Sequence, residues 1–206
     1  MYVAGLAGWL LFYLGALAFR LSGRGTVFPL SCLVICCTWE SYFLLLWIFT
    51  GERFNYAGIA IFAWIVLTAS MILIELRALR PRGGVLKLAM GMAALSLVNV
   101  LLHASIAASV EGMFMIGTVT GYAVLLQVNV IVLAHVLATR QDSTQALLLN
   151  VLRASSSAAV IFWDNNQPEA GAALLMSGIT LVLIDLATLA AIIFFHRQRP
   201  KAATAV

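Results

Sequence analysis

Charge is scarce in this chain. Asp, Glu, Lys and Arg make up 10% of its 206 residues, where a soluble domain carries about 25%. That deficit excludes an ordinary soluble globular domain. The net charge of +4 does not point to nucleic acid, because the basic residues are scattered over short loops rather than gathered in one patch. Lysine is scarcer still. Lys87 and Lys201 both lie outside the middle of any apolar segment, so no Schiff-base lysine is available for a retinal pigment. The three cysteines, Cys32, Cys36 and Cys37, crowd into one apolar stretch. They read as small hydrophobes there, since a metal site needs three or four convergent ligands at suitable spacing. No DDxxD pattern offers a metal-diphosphate site. GxSxG, HExxH and P-loop signatures are missing too. No linker or low-complexity tract stands out. The two halves show no repeat, which argues against a sugar-porter-like transporter.

Long apolar runs are plentiful. Seven segments, about 2–20, 27–50, 56–79, 85–108, 112–138, 144–163 and 169–195, each reach or approach the ~20 residues that span hydrocarbon as a helix. They are continuous rather than alternating, which disfavours a barrel. The expected fold is therefore an all-α integral membrane protein, a seven-transmembrane-helix bundle forming a single domain over residues 1–206. With the N-terminus outside, the inner side holds Arg20, Arg24, Arg77, Arg80, Arg82, Lys87, Arg140, Arg197, Arg199 and Lys201, and the outer side holds Arg53. That asymmetry predicts an N-out, C-in orientation. Ala16-Leu17-Ala18 resembles a cleavage site, but the charges follow the first apolar run instead of preceding it, so the first segment is expected to stay as an uncleaved span.

The loops are short, the largest inner one lying around Arg80-Pro81-Arg82-Gly83-Gly84, so neighbouring helices are expected side by side and antiparallel. Polar residues fall into stripes at helical spacing: Trp64, Thr68, Met71 and Glu75; Met92, Ser96, Asn99 and His103; Tyr122 and Asn129; Asn150, Arg153, Ser157 and Asp164. Steps of three, four and seven keep each set on one face, and in a membrane such faces turn inward. Asn, Ser and Thr on these faces often act as glue between helices, at about 0.6–2 kcal/mol per bond. Glu75 is expected in an interfacial ion pair beside Arg77 and Arg80. Asp164 and Glu169, flanking WDNNQPE, are expected to be solvated. His103 reads as a core or a cavity residue, and His135 and His196 as interfacial.

Glu40, Asp185 and Arg153 differ from these. Each falls near the middle of its segment. A charged side chain there costs roughly 2.5–3.5 kcal/mol on insertion scales, so it faces the bundle interior and usually has a function. A buried ion pair of Arg153 with one of the acids is the plain structural reading. One arginine cannot neutralise two ionised carboxylates, so one acid is expected to hold a proton. The two acids are expected to face a common cavity near the midplane, lined by helices two, three, four, six and seven. Phe43 and Trp47 follow Glu40 at one and two turns, and Trp39 is adjacent. Aromatic faces there would stabilise a cation, although membrane tryptophans such as Trp9, Trp47 and Trp163 also mark interfaces.

Taken over its whole length and helix count, the chain resembles the small seven-helix integral-membrane terpene cyclases of fungal meroterpenoid and indole-diterpene pathways, and of actinobacterial drimentine-type indole sesquiterpenoid pathways. The residues that carry the resemblance are Trp39-Glu40 in the second segment and Asp185 in the seventh. The resemblance implies a type II, protonation-initiated cyclase with Glu40 and Asp185 as catalytic acids and no cofactor or metal. Such an enzyme is an isomerase or intramolecular lyase. It protonates a prenyl alkene or epoxide on an aromatic or indole head, and each alkene then attacks the cation formed before it. The residues expected against substrate are Trp39, Phe43, Trp47, Trp64, Asn99, His103, Tyr122 and Arg153. Asp185, the shorter side chain, is the expected donor, with Glu40 as its ionised partner. The expected setting is a bacterial inner membrane, with a prenylated small molecule, membrane lipid and a pathway prenyltransferase as partners. The alternative is a proton-coupled small-molecule transporter using the same acids as a relay, and a third reading is a non-catalytic membrane accessory protein.

Overall fold

A computed structural model of the chain describes residues 2–23, 26–50, 56–79, 85–168 and 171–198. Seven helices account for most of them: α1 (Tyr2–Leu21), α2 (Leu30–Thr50), α3 (Tyr56–Leu79), α4 (Val85–Ser109), α5 (Met113–Thr139), α6 (Thr144–Asp164) and α7 (Ala172–Gln198). All seven are long and apolar enough to cross a membrane. A helix satisfies its backbone polar groups internally, which hydrocarbon demands. The chain is thus a multi-pass helical membrane protein. The helices that differ most from the expected bounds are α2 and α7, each starting three residues later. Pro29 immediately precedes α2, so the helix begins three residues later than hydropathy suggests, and the Pro29 carbonyl accepts from Leu33 N at 3.2 Å. Ser143 caps α6 by accepting from Ala146 N at 3.1 Å.

Successive helices are not always the closest neighbours. α1 packs on α6 and α3, α2 on α3, α4 and α5, and α7 on α5 and α6. The order α1–α3–α2–α5–α7–α6 closes on itself as a ring of six, and α4 stands outside it against α2 and α5. This differs from the side-by-side order that short loops suggest. Glycine explains the α1–α6 pairing. A Cβ placed on Gly5 would lie 2.6 Å from Val160 Cγ2, one on Gly15 would lie 2.5 Å from Leu149 Cδ2, and one on Gly8 would run into Ser156 Oγ. Small residues let membrane helices approach closely and gain dispersion energy.

The ring encloses Phe12, Phe28, Leu33, Val128 and Val132, all fully buried, while leucine, isoleucine and phenylalanine side chains such as Phe49, Leu86 and Leu183 cover the outside. The polar stripes do turn inward. Trp64, Thr68, Met71, Asn99, His103, Tyr122, Asn129, Asn150, Arg153 and Ser157 are all buried. Two expectations are corrected. Glu75 takes its charge partner from α1, with Arg20 Nη2 donating to Oε2 at 3.2 Å, because α1 and α3 are packed neighbours. Asp164, expected to be solvated, is buried at 3% exposure, because it is the last residue of α6 rather than part of the loop that follows. The Arg80–Gly84 turn, Arg24, Arg53, Glu169, Arg199 and Lys201 lie outside the described residues.

Candidate functional site

Glu40 is 1% exposed and reaches away from α2 toward α1 and α3. Tyr13 donates its hydroxyl to Glu40 Oε1 at 3.1 Å. Thr68 Oγ1 lies 2.8 Å from Glu40 Oε2 and 2.9 Å from the Trp64 carbonyl. A threonine hydroxyl has one hydrogen. Both Thr68 contacts are made in full only when that hydrogen goes to the carbonyl and the Glu40 carboxyl supplies the other. The arrangement therefore suits a protonated Glu40. No cation reaches it among the described residues.

Asp185 has the opposite surroundings. Arg153 Nη2 stands 2.6 Å from Asp185 Oδ1, and both residues are buried. Arg153 Nη1 also donates to Asn129 Oδ1, and Asn129 Nδ2 donates to the Leu181 carbonyl at 3.5 Å. This cluster therefore ties α5, α6 and α7 together. Burying two charges is costly unless geometry and hydrogen bonds compensate, and here the asparagine shares the guanidinium.

The two carboxyl groups are not neighbours. Cys32 of α2 meets α5 at Val128, its Sγ 3.8 Å from the Val128 carbonyl, and Asn129 follows Val128 in the chain. Glu40 lies about eight residues further along α2, which is ~12 Å of helix. The shared depth and common cavity expected from sequence do not hold. Segment midpoints mislead because the start of α2, at Cys32, packs level with the middle of α5, at Val128. Of the residues expected against substrate, Phe43 meets Gly117 of α5 and Arg153 pairs with Asp185 of α7.

Trp39, Phe43 and Trp47 form a ladder along α2. Trp39 and Phe43 stack at 5.6 Å and 13°, and Phe43 and Trp47 meet edge to face at 6.0 Å. Trp39 Nε1 donates to Thr120 Oγ1 at 2.9 Å, and the Phe43 ring fills the space left by Gly117. The upper ladder thus faces α5, while Glu40 faces α1 and α3. The ring that touches Glu40 is that of Tyr13, which clusters with Trp9, Phe12 and Phe28 at centroid distances of 5.3–6.2 Å. Sequence reading missed Tyr13 and this cluster. The usable signal was a polar-tipped ring at helical spacing from Trp9 and Ala16, since a buried tyrosine hydroxyl usually finds a partner.

The other expected contacts fall elsewhere. Trp64 is buried one turn from Thr68, with its indole N–H unpartnered among the described residues. Tyr122 Oη accepts from Asn165 Nδ2 at 3.4 Å near the end of α6. His103 is fully buried, its ring tilted on Tyr42 at 5.7 Å. Asn99 Nδ2 donates to the Leu95 carbonyl at 3.0 Å. A cleft of about 400 Å³ opens between α2, α3 and α4, lined by Cys37, Thr38, Ser41, Tyr42, Met92 and Ser96 among others. None of the residues expected against substrate lines it. Among the described residues, no group of three His, Cys, Asp or Glu is arranged to hold a metal.

No protein-family model matches the chain, nor does any curated protein or solved structure.

Proposed function

We propose that this protein is a membrane-bound type II terpene cyclase in which Glu40 is the general acid. The observation that supports this reading is the setting of Glu40: a buried carboxyl met by two hydroxyls and, among the described residues, no cation, with an unshared hydrogen needed to complete its contacts. A buried carboxyl that holds its proton is suited to protonating a weakly basic alkene. Asp185 is suited to a different task, because Arg153 neutralises it. The donor is therefore Glu40, with Asp185 and Arg153 holding α5, α6 and α7 in register.

In this reaction the Glu40 proton forms a C–H bond at the distal alkene of a prenyl chain, leaving a carbocation. Each remaining alkene adds to the cation in turn. A base takes up the proton released at the end, so the product is an isomer of the substrate. The chain sits N-out and C-in in a bacterial inner membrane, so a prenylated aromatic dissolved in the bilayer reaches it laterally. The test is incubation of membranes containing the protein with a panel of prenylated indoles and quinols, read by mass and NMR. Cyclic isomers from wild type and none from Glu40→Gln support the reading. Uptake into liposomes driven by a pH gradient, with no isomer formed, would replace it with the transporter.

A further inference from the structure

Glu40 is closed off at 1% exposure, yet open space lies close to it. Tyr13, Thr68, Cys36 and Cys37 all come within hydrogen-bond or electrostatic range of its carboxyl. Tyr13, Thr68 and Cys36 are buried. Cys37 is part-exposed and lines the cleft between α2, α3 and α4. Of the four, it is the one that reaches both the acid and open space. Helix geometry agrees. Cys37 precedes Glu40 by three residues, so the two stand about 60° apart around α2. On α3, Ile72 lines the cleft one turn beyond Thr68.

The barrier between cleft and acid is formed by two side chains. The Cys37 thiol faces the Thr68 and Ser41 hydroxyls, and Thr68 Oγ1 lies 2.8 Å from Glu40 Oε2. A thiol is a weak donor and a weak acceptor, and cysteine has a single side-chain torsion with three staggered wells. Swinging the thiol off Thr68 therefore gives up little, whereas a serine there would hold on harder. The cleft itself suits an apolar visitor. No charged residue is among those lining it, and Thr38 Oγ1 donates to Ser96 Oγ at 3.0 Å, so those two hydroxyls satisfy each other. Leu45 and Val100, at 52% and 38% exposure, stand on the outside of the bundle, so the cleft opens where lipid lies. Its volume is in the usual range for small-molecule sites.

We propose that this cleft is the way from lipid to Glu40 and that Cys37 is the specificity-determining residue that governs passage. When the thiol turns away from Thr68, the unsaturated end of an apolar chain lying in the cleft comes against the acid. The bulk of residue 37 then decides how far the chain advances and which of its alkenes meets the carboxyl. Cys37 does this by size and by the weakness of its hold on Thr68, and its sulfur takes no part in the reaction. The role rests on the cyclase reading for any chemistry at the alkene. Access to Glu40 does not, since it depends on the contacts of Cys37 and Thr68 alone.

The test is infrared difference spectroscopy on the full chain in lipid nanodiscs, following the Glu40 carboxyl band, identified as the band lost in Glu40→Gln. The probe is β-farnesene, an unsaturated hydrocarbon with no head group, and the saturated hydrocarbon farnesane is its control. Farnesene should shift the wild-type band saturably and farnesane should not, because a carboxyl O–H donates weakly to a π bond and an alkane has none. Cys37→Ala should enlarge the shift, Cys37→Ser should reduce it and Cys37→Trp should abolish it. Val100→Trp plugs the mouth from α4, so it should leave the band of the unliganded protein in place and abolish the shift. It decides the matter if Cys37→Trp does not fold. The route is overturned if farnesene leaves the wild-type band unmoved or if the shift survives in Val100→Trp. It is also overturned if farnesane moves the band equally, since the cleft is then a groove for any lipid chain. A shift that Cys37→Ala and Cys37→Ser leave unchanged overturns the role of Cys37. A farnesene shift in wild type with no cyclised product from any substrate removes the cyclase reading and leaves the route. Cyclisation at the wild-type rate in Val100→Trp removes the route and leaves the cyclase.

Discussion

Arg153 sets its Nη2 2.6 Å from Asp185 Oδ1, and Glu40, about two helical turns away along the bundle, is left to the hydroxyls of Tyr13 and Thr68. The division assigns the two membrane carboxyls to different work. One is locked into a charge pair that braces three helices. The other meets no cation among the described residues, which suits the donor role proposed for it.

Substitution should separate those roles. Glu40→Gln keeps the shape and the hydrogen-bonding capacity, so the protein should fold and purify as wild type while cyclisation falls by about 10²–10⁴-fold, the usual reach of a general acid. Asp185→Asn leaves the guanidinium uncompensated and should cost about 3–5 kcal/mol, read as a lower thermal midpoint in detergent. The double variant Arg153→Met/Asp185→Leu should regain most of that loss. Equal thermal midpoints for wild type and Asp185→Asn, or full turnover in Glu40→Gln, would contradict the division.

The hydroxyl partners give a finer test. Thr68→Val removes the group that touches Glu40 Oε2 and keeps a similar shape, at a stability cost of about 1 kcal/mol. Turnover should fall by more than substrate affinity does, because the acid loses its orientation. Thr68→Ser should restore it. If Thr68→Val changes affinity alone, the hydroxyl serves packing rather than the acid.

The seven spans were readable because hydrophobic length and composition determine them, and the expected bounds agree with α3 (Tyr56–Leu79) and nearly with the rest. The inward faces were readable too, since Asn99, Asn129 and Arg153 all bury on the stripes their spacing defines. Lateral order was not. Hydropathy says nothing of which helix a face meets, and the glycines that draw α1 onto α6 act through shape. For the same reason Glu75 was matched to sequence neighbours rather than to Arg20, and Glu40 was placed with Asp185 rather than with Tyr13.

Orientation follows from charge outside the membrane. Basic residues that remain on the inner side set topology, so a phosphatase–fluorescent protein pair fused in turn to the C-terminus should report it inside the cell. Phosphatase activity there, with no fluorescence, would invert the bundle and place Arg77, Lys87 and Arg140 outside.

The α1–α6 contact should be the most sensitive to a single added methyl group. At Gly8 a Cβ meets Ser156 Oγ with its own Cβ 3.1 Å away, and Ser156 already donates to the Leu152 carbonyl at 2.6 Å. Gly8→Ala must therefore rotate that hydroxyl out of its bond or part the helices, at about 1–3 kcal/mol for overpacking. Adding Ser156→Ala removes the clashing oxygen and should return most of the stability, although Gly8→Leu should not be rescued. Gly91 of α4 has open space around it, so Gly91→Ala serves as the neutral control. The same displacement would carry Tyr13 of α1 away from Glu40, so turnover should fall and recover together with the thermal midpoint across Gly8→Ala and its double variant. Activity that stays at wild-type level while Gly8→Ala loses stability would mean that the Tyr13 contact does not bear on the acid.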